Sequence, residues 1–220
     1  ASFSQAILIG IINLIFTIIA IGLIDKIGRR PLLIFGVGAI AVFMFVLSAS
    51  FSSATYVLDR GAVQELPAEI NKAELASVIG VVFNNDVSFK NAIKASIGTE
   101  MANRYEGDII KRAINANSTL ILIGILGFVA AFAISLGPVM WVLFSELFPN
   151  RIRGLAISFV GLINSAISFI VQLVFPWEMS TLGSSTTFLI YGVFALLGLF
   201  FVSLKVPETK GKSLEELEEF

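Results

Sequence analysis

The stretch GPVMWVLFSELFPNRIRG, from Gly137 to Gly154, decides how this chain folds. It begins inside a long apolar run, which its Gly-Pro step interrupts. Because proline lacks a backbone N–H and its ring disfavours a straight helix, Gly137 and Pro138 predict a kink. Apolar sequence that ends on clustered arginines is typical of a membrane helix that reaches the cytoplasmic surface. The stretch therefore predicts a bend, an aromatic surface at Trp141 and a membrane boundary.

The composition indicates a membrane protein. The chain has 220 residues, of which 56% are apolar and 14% are charged, and its mean hydropathy is +0.91. Soluble domains are roughly 45–50% apolar and about 25% charged. The net charge of −1 predicts no nucleic-acid partner. The sequence contains neither Cys nor His, which excludes thiolate and imidazole chemistry and the usual zinc sites, so we expect no enzyme activity, no metal and no cofactor.

Five apolar runs are long enough to cross ~30 Å of hydrocarbon as helices that rise ~1.5 Å per residue. They cover residues 3–24, 32–52, 119–147, 155–175 and 188–204. The first two runs form a hairpin within 1–52, the other three lie within 119–204, and a tail of residues 205–220 follows. We therefore predict an all-α fold, a polytopic bundle of membrane helices in contact with a lipid bilayer.

Residues 53–118 differ in kind and predict a hydrophilic insertion outside the bilayer. Their longest apolar piece, 75–83, is far too short to span a membrane. Apolar residues recur at helical spacing among charges from Ile93 to Ala113, which indicates short amphipathic helices. In the tail, Ser213 and Glu216 have the spacing of a capping box and predict the start of a surface helix.

The distribution of Lys and Arg predicts the orientation. Basic residues cluster in alternate loops and in the tail: Lys26, Arg29, Arg30, Arg151, Arg153, Lys205, Lys210 and Lys212. By the positive-inside rule these segments are cytoplasmic, and the insertion is extracytoplasmic. We expect the protein in the inner (plasma) membrane of a bacterium, with its tail in the cytoplasm. Since the chain enters an apolar run directly after Ala1, we interpret it as a fragment of a longer polytopic protein.

Three motifs resemble the sugar porter branch of the major facilitator superfamily: DKIGRR after the first span, the stretch from Gly137 to Gly154, and PETKGKSLEELE after the last span. They are similar to that family's loop between helices eight and nine, its tenth helix with the following loop, and its C-terminal signature. The resemblance implies helices eight to twelve of a twelve-helix carrier, whose N-terminal half would be the partner of this chain. It also implies a monosaccharide as the substrate and transport by alternating access.

Two amides within the apolar runs are candidate substrate contacts. Asn13 and Asn164 lie near the middle of their spans, and an unpaired amide in hydrocarbon costs about 4–8 kcal/mol. Each must therefore face the bundle or a wet cavity, either as a hydrogen bond between helices or as a ligand for the substrate. An amide both donates and accepts, so it can pair with a sugar hydroxyl without burying a charge. Similar carriers have an amide at both positions, and the resemblance favours the substrate role.

Two aromatic residues complete the predicted substrate site. The indole of Trp141 can stack on the apolar face of a pyranose, although a Trp near a membrane surface is also typical of an interfacial belt. Phe132 matches an aromatic lining position of similar porters, but core packing remains open for one of twenty Phe. The sequence departs from the family at Ser165, where many sugar porters have a Trp.

Charged residues at the inner ends of different spans are candidates for a gate. In similar porters the corresponding positions pair into a network that closes the inner side of the carrier; in this chain they are Asp25, Arg29, Arg30, Glu146, Arg153 and Glu208. Several partly desolvated ion pairs can bias a rocking motion by a few kcal/mol. The alternative is that these charges only determine topology, with each solvated pair contributing about 0–1 kcal/mol.

The sequence leaves three functional classes to compare. A sugar carrier fits the motifs, and a non-transporting sensor that uses residues 53–118 as an outer interaction domain is the alternative. A membrane-embedded enzyme has little support, since no span contains a pair of carboxylates at mid-depth. No Asp, Glu, Lys or Arg lies at mid-depth in any of the five spans, so proton symport and facilitated diffusion both stay open.

Overall fold

The structure is a computed structural model that describes residues 2–212, with side chains from residue 6 onward. Within that range, five helical segments are long and apolar enough to cross a membrane. They are Ala6–Ile27, Arg29–Ser52, Ser118–Leu147, Arg153–Thr181 and Ser184–Lys205. The predicted fold class, a polytopic helix bundle with a hydrophilic insertion, is confirmed. The surface helix predicted from Ser213 and Glu216 lies outside the described residues.

The elements follow one another in simple order. The helices are α1 (Ser2–Ile27), α2 (Arg29–Ser52), α3 (Arg60–Gln64), α4 (Asp86–Ile97), α5 (Thr99–Arg104), α6 (Glu106–Ala113), α7 (Ser118–Ile134), α8 (Leu136–Leu147), α9 (Arg153–Thr181) and α10 (Ser184–Lys205). The strands are β1 (Thr55–Val57), β2 (Val82–Phe83) and β3 (Ile114–Asn115), and a 3-10 turn covers Glu74–Ser77.

Helix α2 is the centre of the bundle and packs against α7 on one side and α10 on the other. Large side chains of α2 fill the space that glycines leave on its neighbours. A Cβ placed on Gly124 of α7 would lie only 2.6 Å from the Leu47 side chain. A Cβ placed on Gly192 of α10 would lie 2.8 Å from the Phe45 ring. Small residues allow membrane helices to approach closely and gain van der Waals contact. The fit of these two side chains against the two glycines therefore fixes the register of α2 between α7 and α10.

The third membrane segment is broken at Ser135, three residues before the proline that causes the break. Because Pro138 has no N–H to donate to the carbonyl of Ile134, the helical ladder cannot continue through this point. Ser135 adopts φ −126° and ψ −93°, and α8 starts at Leu136 with Pro138 in its first turn, where a missing N–H is tolerated. The sequence predicts a kink at Gly137 and Pro138, and the structure places the break in the helix at Ser135.

The fourth membrane segment is longer than the sequence predicted. The run was expected to end at Phe175, before Pro176, but α9 continues through Pro176 to Thr181. Proline is tolerated inside membrane helices when neighbouring groups compensate for the lost hydrogen bond. Glu178, expected in a loop, lies in the last turns of α9 and accepts a hydrogen bond from the Tyr191 hydroxyl at 2.8 Å. No residue of α9 is buried by the rest of the described chain.

The insertion is a small folded unit with its own hydrophobic core. Its short helices were predicted; its three-stranded antiparallel sheet, in the order β2-β1-β3, was not. The core contains Tyr56, Leu58, Leu75, Phe89 and Ile109, each at most 2% exposed. Burial, with a smaller contribution from the charge of Asp86, raises the pKa of Tyr56 to about 12, because both disfavour the phenolate. The insertion is thus a packed domain.

The contact between Gly36 of α2 and Ser135 generates a prediction about stability. A methyl group on Gly36 would overlap the Ser135 side chain and approach the Ala131 carbonyl oxygen to 3.2 Å. We expect Gly36→Ala to lower the free energy of unfolding by about 1–3 kcal/mol, as overpacking does. Denaturation in detergent, followed by circular dichroism, measures this change.

The matched control is Gly22→Ala in α1, where no atom lies within 4 Å of the new methyl group. This variant should be unchanged or slightly more stable, since Ala favours a helix over Gly by up to about 1 kcal/mol. Equal stability of the two variants would contradict the close approach at Ser135.

Candidate functional site

A carboxylate from the tail covers the start of α2 at the predicted inner end of the bundle. Gly28 alone separates α1 from α2 and has φ +104°, a conformation that favours glycine. A Cβ at this position would lie 2.6 Å from Oε2 of Glu208. That carboxylate accepts hydrogen bonds from the backbone N–H groups of Arg29 at 3.0 Å and Arg30 at 3.1 Å. Glu208 therefore satisfies free donors of α2 and lies at the positive end of its dipole.

The Arg29 side chain joins this cap to α8. Its Nη2 lies 2.7 Å from Oε1 of Glu146, and its Nε donates to both oxygens of that carboxylate at 3.1 Å. Nη2 also lies 3.1 Å from Oδ1 of Asp25, which is 82% exposed, whereas the Arg29 and Glu146 side chains are only 13% and 23% exposed. The hydroxyl of Thr209 donates to Oε2 of Glu146 at 2.5 Å. The Arg29–Glu146 pair is thus bidentate and largely shielded from solvent.

The two other predicted gate arginines bind backbone carbonyls. Arg30 Nη2 donates to the carbonyl of Ser203 at 2.6 Å, which ties α2 to the end of α10. Arg153 Nε donates to the carbonyl of Phe148 at 3.1 Å. Within residues 2–212, Arg153 forms no ion pair, and its Nη2 is buried without a hydrogen-bond partner. Its guanidinium therefore closes the α8–α9 loop and takes no part in the carboxylate network.

The structure brings five of the six predicted gate residues together in one group, which we call the inner cluster. The inner cluster consists of Asp25, Arg29, Arg30, Glu146 and Glu208, together with Thr209. The sequence reasoning missed Thr209, although it directly follows Glu208 within the PETKG motif. The inner cluster links α1, α2, α8 and the segment after α10 through side chains that are far apart in sequence.

Asn13 lies on the side of α1 that faces the bundle, yet its own side chain is exposed. At 100° per residue it is only ~20° from Ala20 and Ile24 around the helix axis. Those two residues are buried, at 0% and 5% exposure. The described chain therefore covers this face of α1 near its inner end and leaves Asn13 uncovered.

Asn164 follows the same pattern on α9. It continues the partly covered stripe formed by Val160 and Gly161, and it too is exposed. The indole of Trp141 reaches across from α8, with Cη2 3.9 Å from the position of a Cβ on Gly161, one turn before Asn164. Trp141 is 45% exposed and makes an edge contact with Phe144, with ring centroids 6.2 Å apart. The structure thus brings Trp141 close to the face of α9 that carries Asn164.

Phe132 has different neighbours. Its ring packs against Phe128, at 6.4 Å between centroids, and lies 3.5 Å from the position of a Cβ on Gly137, on the other side of the helix break. The ring is 42% exposed, between the buried Ala131 and Ala133. The described contacts do not join Phe132 to Trp141, so its role in the site stays a prediction.

Comparison with known proteins agrees with these motifs. The sequence profile of the family described as "Sugar (and other) transporter" matches residues 1–66 and 95–220. The chain belongs to this family. The resemblance inferred from the three motifs is confirmed, and the protein is an integral membrane protein. Residues 67–94, inside the insertion, lie outside the match to the sugar transporter family.

Curated relatives cover nearly all of the chain. It is 31% identical over 220 residues to the D-xylose-proton symporter of Escherichia coli (strain K12), a match to 97% of this chain and 32% of the symporter. It is 30% identical over 239 residues to the facilitated glucose transporter member 10 of Xenopus tropicalis, covering 96% and 42%. The probable metabolite transport protein CsbC of Bacillus subtilis (strain 168) is 33% identical over 210 residues, covering 96% and 33%. The chain spans about a third to two fifths of these relatives.

Solved structures of a transporter have the same fold. The proton:xylose symporter XylE bound to 6-bromo-6-deoxy-D-glucose matches with a TM-score of 0.65 and 30% identity, over 99% of this chain and 34% of that one. The inward open conformation of XylE from E. coli matches with a TM-score of 0.63 and 31% identity, over 98% and 35%. The helix arrangement of this family member is therefore that of a major facilitator superfamily transporter.

The inner cluster generates a prediction that separates a shielded ion pair from an exposed one. Glu146→Gln removes the charge that Arg29 contacts at two atoms, so we expect the free energy of unfolding to fall by about 2–3 kcal/mol. Asp25→Asn removes the exposed partner of the same arginine and should change stability by only about 0–1 kcal/mol. Denaturant titration in detergent measures both values. A similar effect of the two substitutions would mean that the Arg29–Glu146 pair is as solvated as the Asp25 contact.

Proposed function

We propose that this chain forms the C-terminal half of a sugar carrier that works by alternating access. The observation that carries the proposal is the match of the sugar transporter family to both sides of the insertion, together with the inner cluster that residues of all three motifs form. An N-terminal half, present in the relatives but outside this chain, would supply the other wall of the transport pathway. The substrate class is a monosaccharide.

The proposed substrate site lies where the bundle is open. Asn13 and Asn164 lie on the same sides of α1 and α9 as the covered residues of those helices, but both are exposed. Neither amide is hydrogen-bonded to another described residue. Both amides are thus available to the hydroxyl groups of a sugar. Trp141 offers an aromatic face near Asn164, and Phe132 is proposed as a further apolar contact. This combination of a few polar groups with aromatic surface is typical of small-molecule sites.

The proposed gate is the inner cluster. Its shielded Arg29–Glu146 pair and the Glu208 cap hold the inner ends of α1, α2 and α8 to the segment after α10. Such a group of ion pairs stabilises one arrangement of helix ends and is lost when they separate, which biases the equilibrium between inward-facing and outward-facing states. Arg153 contributes to the gate through the α8–α9 loop and lacks a carboxylate partner among the described residues.

The proposal also covers the orientation of the chain in the membrane and the coupling of transport to protons. The basic inner end and the tail face the cytoplasm under the positive-inside rule, and the insertion faces outward. Matches to bacterial transporters at 31–33% identity support a bacterial plasma membrane as the location. The relatives include a proton symporter and a facilitated transporter. Since the five spans contain no charged residue at mid-depth, a coupling carboxylate would belong to the other half of the carrier.

Uptake into vesicles tests the proposed function. A carrier that contains this chain as its C-terminal half is reconstituted into liposomes, and the entry of labelled D-xylose and D-glucose is measured against empty liposomes. We expect saturable uptake of at least one of the two sugars. A folded carrier that takes up neither of these sugars, nor any other labelled monosaccharide, would contradict the proposal and favour a sensor built on the same scaffold. The insertion, which has its own core, would then be its interaction domain.

The chain has two tryptophans, which provide a matched test of the substrate site. Trp141→Ala should weaken sugar affinity about fivefold, because stacking on an aromatic ring contributes on the order of 1 kcal/mol. Trp177→Ala, in the outer part of α9 and 59% exposed, should leave the affinity unchanged. Equilibrium binding to the reconstituted carrier measures both. Unchanged affinity in Trp141→Ala would remove this residue from the proposed site.

A further inference from the structure

The insertion contacts the bundle through two charged side chains on α4. Asp86 and Lys90 are one helical turn apart, both side chains are only 8% exposed, and their charged atoms are 3.9 Å apart. They lie against the connection between α9 and α10, at the end of the bundle opposite the inner cluster. Burying charges is costly unless each is paired and hydrogen-bonded, so a buried pair at a junction needs specific partners on both sides.

Asp86 binds the start of α10. Its Oδ2 accepts a hydrogen bond from the backbone N–H of Ser184 at 2.9 Å and another from the Ser184 hydroxyl at 2.6 Å. Gly183, with φ +82°, directly precedes α10, and a Cβ there would lie 2.6 Å from Oδ1 of Asp86. The connection therefore makes room for the carboxylate at the positive end of α10.

Lys90 binds the end of α9. Its ammonium donates to the carbonyl of Met179, in the last turn of α9, at 3.4 Å, and lies 3.0 Å from a carboxylate oxygen of Glu106 within the insertion. A cation is favourable at the negative end of a helix dipole, where backbone carbonyls lack intrahelical partners. Asp86 and Lys90 thus match the opposite charges of the two helix ends that meet in this connection.

At this end α10 is also joined directly to α2. The hydroxyls of Ser48 and Ser185 each donate to the other residue's carbonyl, at 2.8 Å and 3.0 Å. The rings of Phe51 and Phe188 stack on each other. Helix α9 has no buried residue in the described chain and has few contacts with α10. The insertion, by contrast, is joined covalently to the outer end of α2, where β1 follows, and to the start of α7, which β3 precedes. A contact between α4 and the hairpin therefore connects the outer ends of four membrane helices.

We propose that the insertion acts as an outer clamp. Asp86 adds to the direct contact between α10 and α2, and Lys90 holds the weakly packed outer end of α9, so that the outer ends of α2, α7, α9 and α10 move as one body. Both residues lie in the segment 67–94, which the profile of the sugar transporter family does not match. The proposal does not depend on the identity of the substrate.

Hydrogen exchange of the reconstituted protein tests the outer clamp. In Asp86→Asn combined with Lys90→Met, we expect exchange of the backbone amides at 181–188 to accelerate tenfold or more, because Ser184 loses its charged acceptor. Exchange in α2 should stay unchanged. The control is Glu65→Gln, which removes an ion pair with Arg112 that lies wholly within the insertion. It should leave exchange at 181–188 at the wild-type rate.

A second variant distinguishes loss of the contact from misfolding of the insertion. Ser184→Ala removes the hydroxyl donor from the hairpin side and leaves the insertion intact, so a smaller acceleration confined to 181–188 is expected. Since the chain has no Cys, spin labels on Ser88→Cys and Leu182→Cys can report the distance between α4 and the hairpin. The distance distribution should broaden when Asp86 and Lys90 are replaced. Unchanged exchange and an unchanged distribution in these variants would overturn the proposal, whether or not the carrier transports sugar.

Discussion

The rest of the bundle depends on the interaction of two carboxylates with the start of α2. Glu208 accepts hydrogen bonds from the first N–H groups of this helix, and Glu146 pairs with its Arg29 side chain. Helix α2 is also the helix around which α7 and α10 pack. In a lipid bilayer, apolar contacts between helices provide little driving force beyond close packing, so the polar contacts at helix ends determine which ends stay together. A tail of a few residues can therefore tie α1, α2 and α8 into one unit.

The same chemistry occurs at the opposite end of the molecule. There, Asp86 of the insertion binds the start of α10, next to Gly183, as Glu208 binds the start of α2, next to Gly28. In both places a glycine with positive φ leaves room for a carboxylate that comes from a distant part of the chain. Charged side chains cannot lie in the hydrocarbon layer without a large cost, so both contacts occur where helices end. Ion pairs at the two ends can then be made or broken without disturbing the apolar middle of the bundle.

The sequence predicts the apolar framework well and its interruptions less well. Length and hydropathy are sufficient for five spans because hydrocarbon thickness sets the number of residues. The break at Ser135 was expected at Pro138, since a proline acts on the carbonyl four residues earlier rather than on its own position. Pro176 predicts a helix end, but α9 continues past it to Thr181. The sequence does not predict the sheet of the insertion, because its strands have only two or three residues, too few to show an alternating pattern. The contact of Thr209 with Glu146, and the lack of a carboxylate partner for Arg153 within residues 2–212, depend on tertiary geometry that no local pattern contains.

The two exposed amides, Asn13 and Asn164, relate the fold to the proposed function. Asn13 and Asn164 each continue a stripe of residues that packs elsewhere along the helix, so both face the side of the bundle on which protein, not lipid, is expected. An amide without a hydrogen-bond partner in hydrocarbon costs about 4–8 kcal/mol, and two such costs together would equal the typical stability of a domain, about 5–15 kcal/mol. A folded bundle therefore requires water or another polar partner in front of both amides. The proposed wet pathway between two halves of a carrier would meet that requirement, and a polyhydroxylated substrate could take the place of the water there.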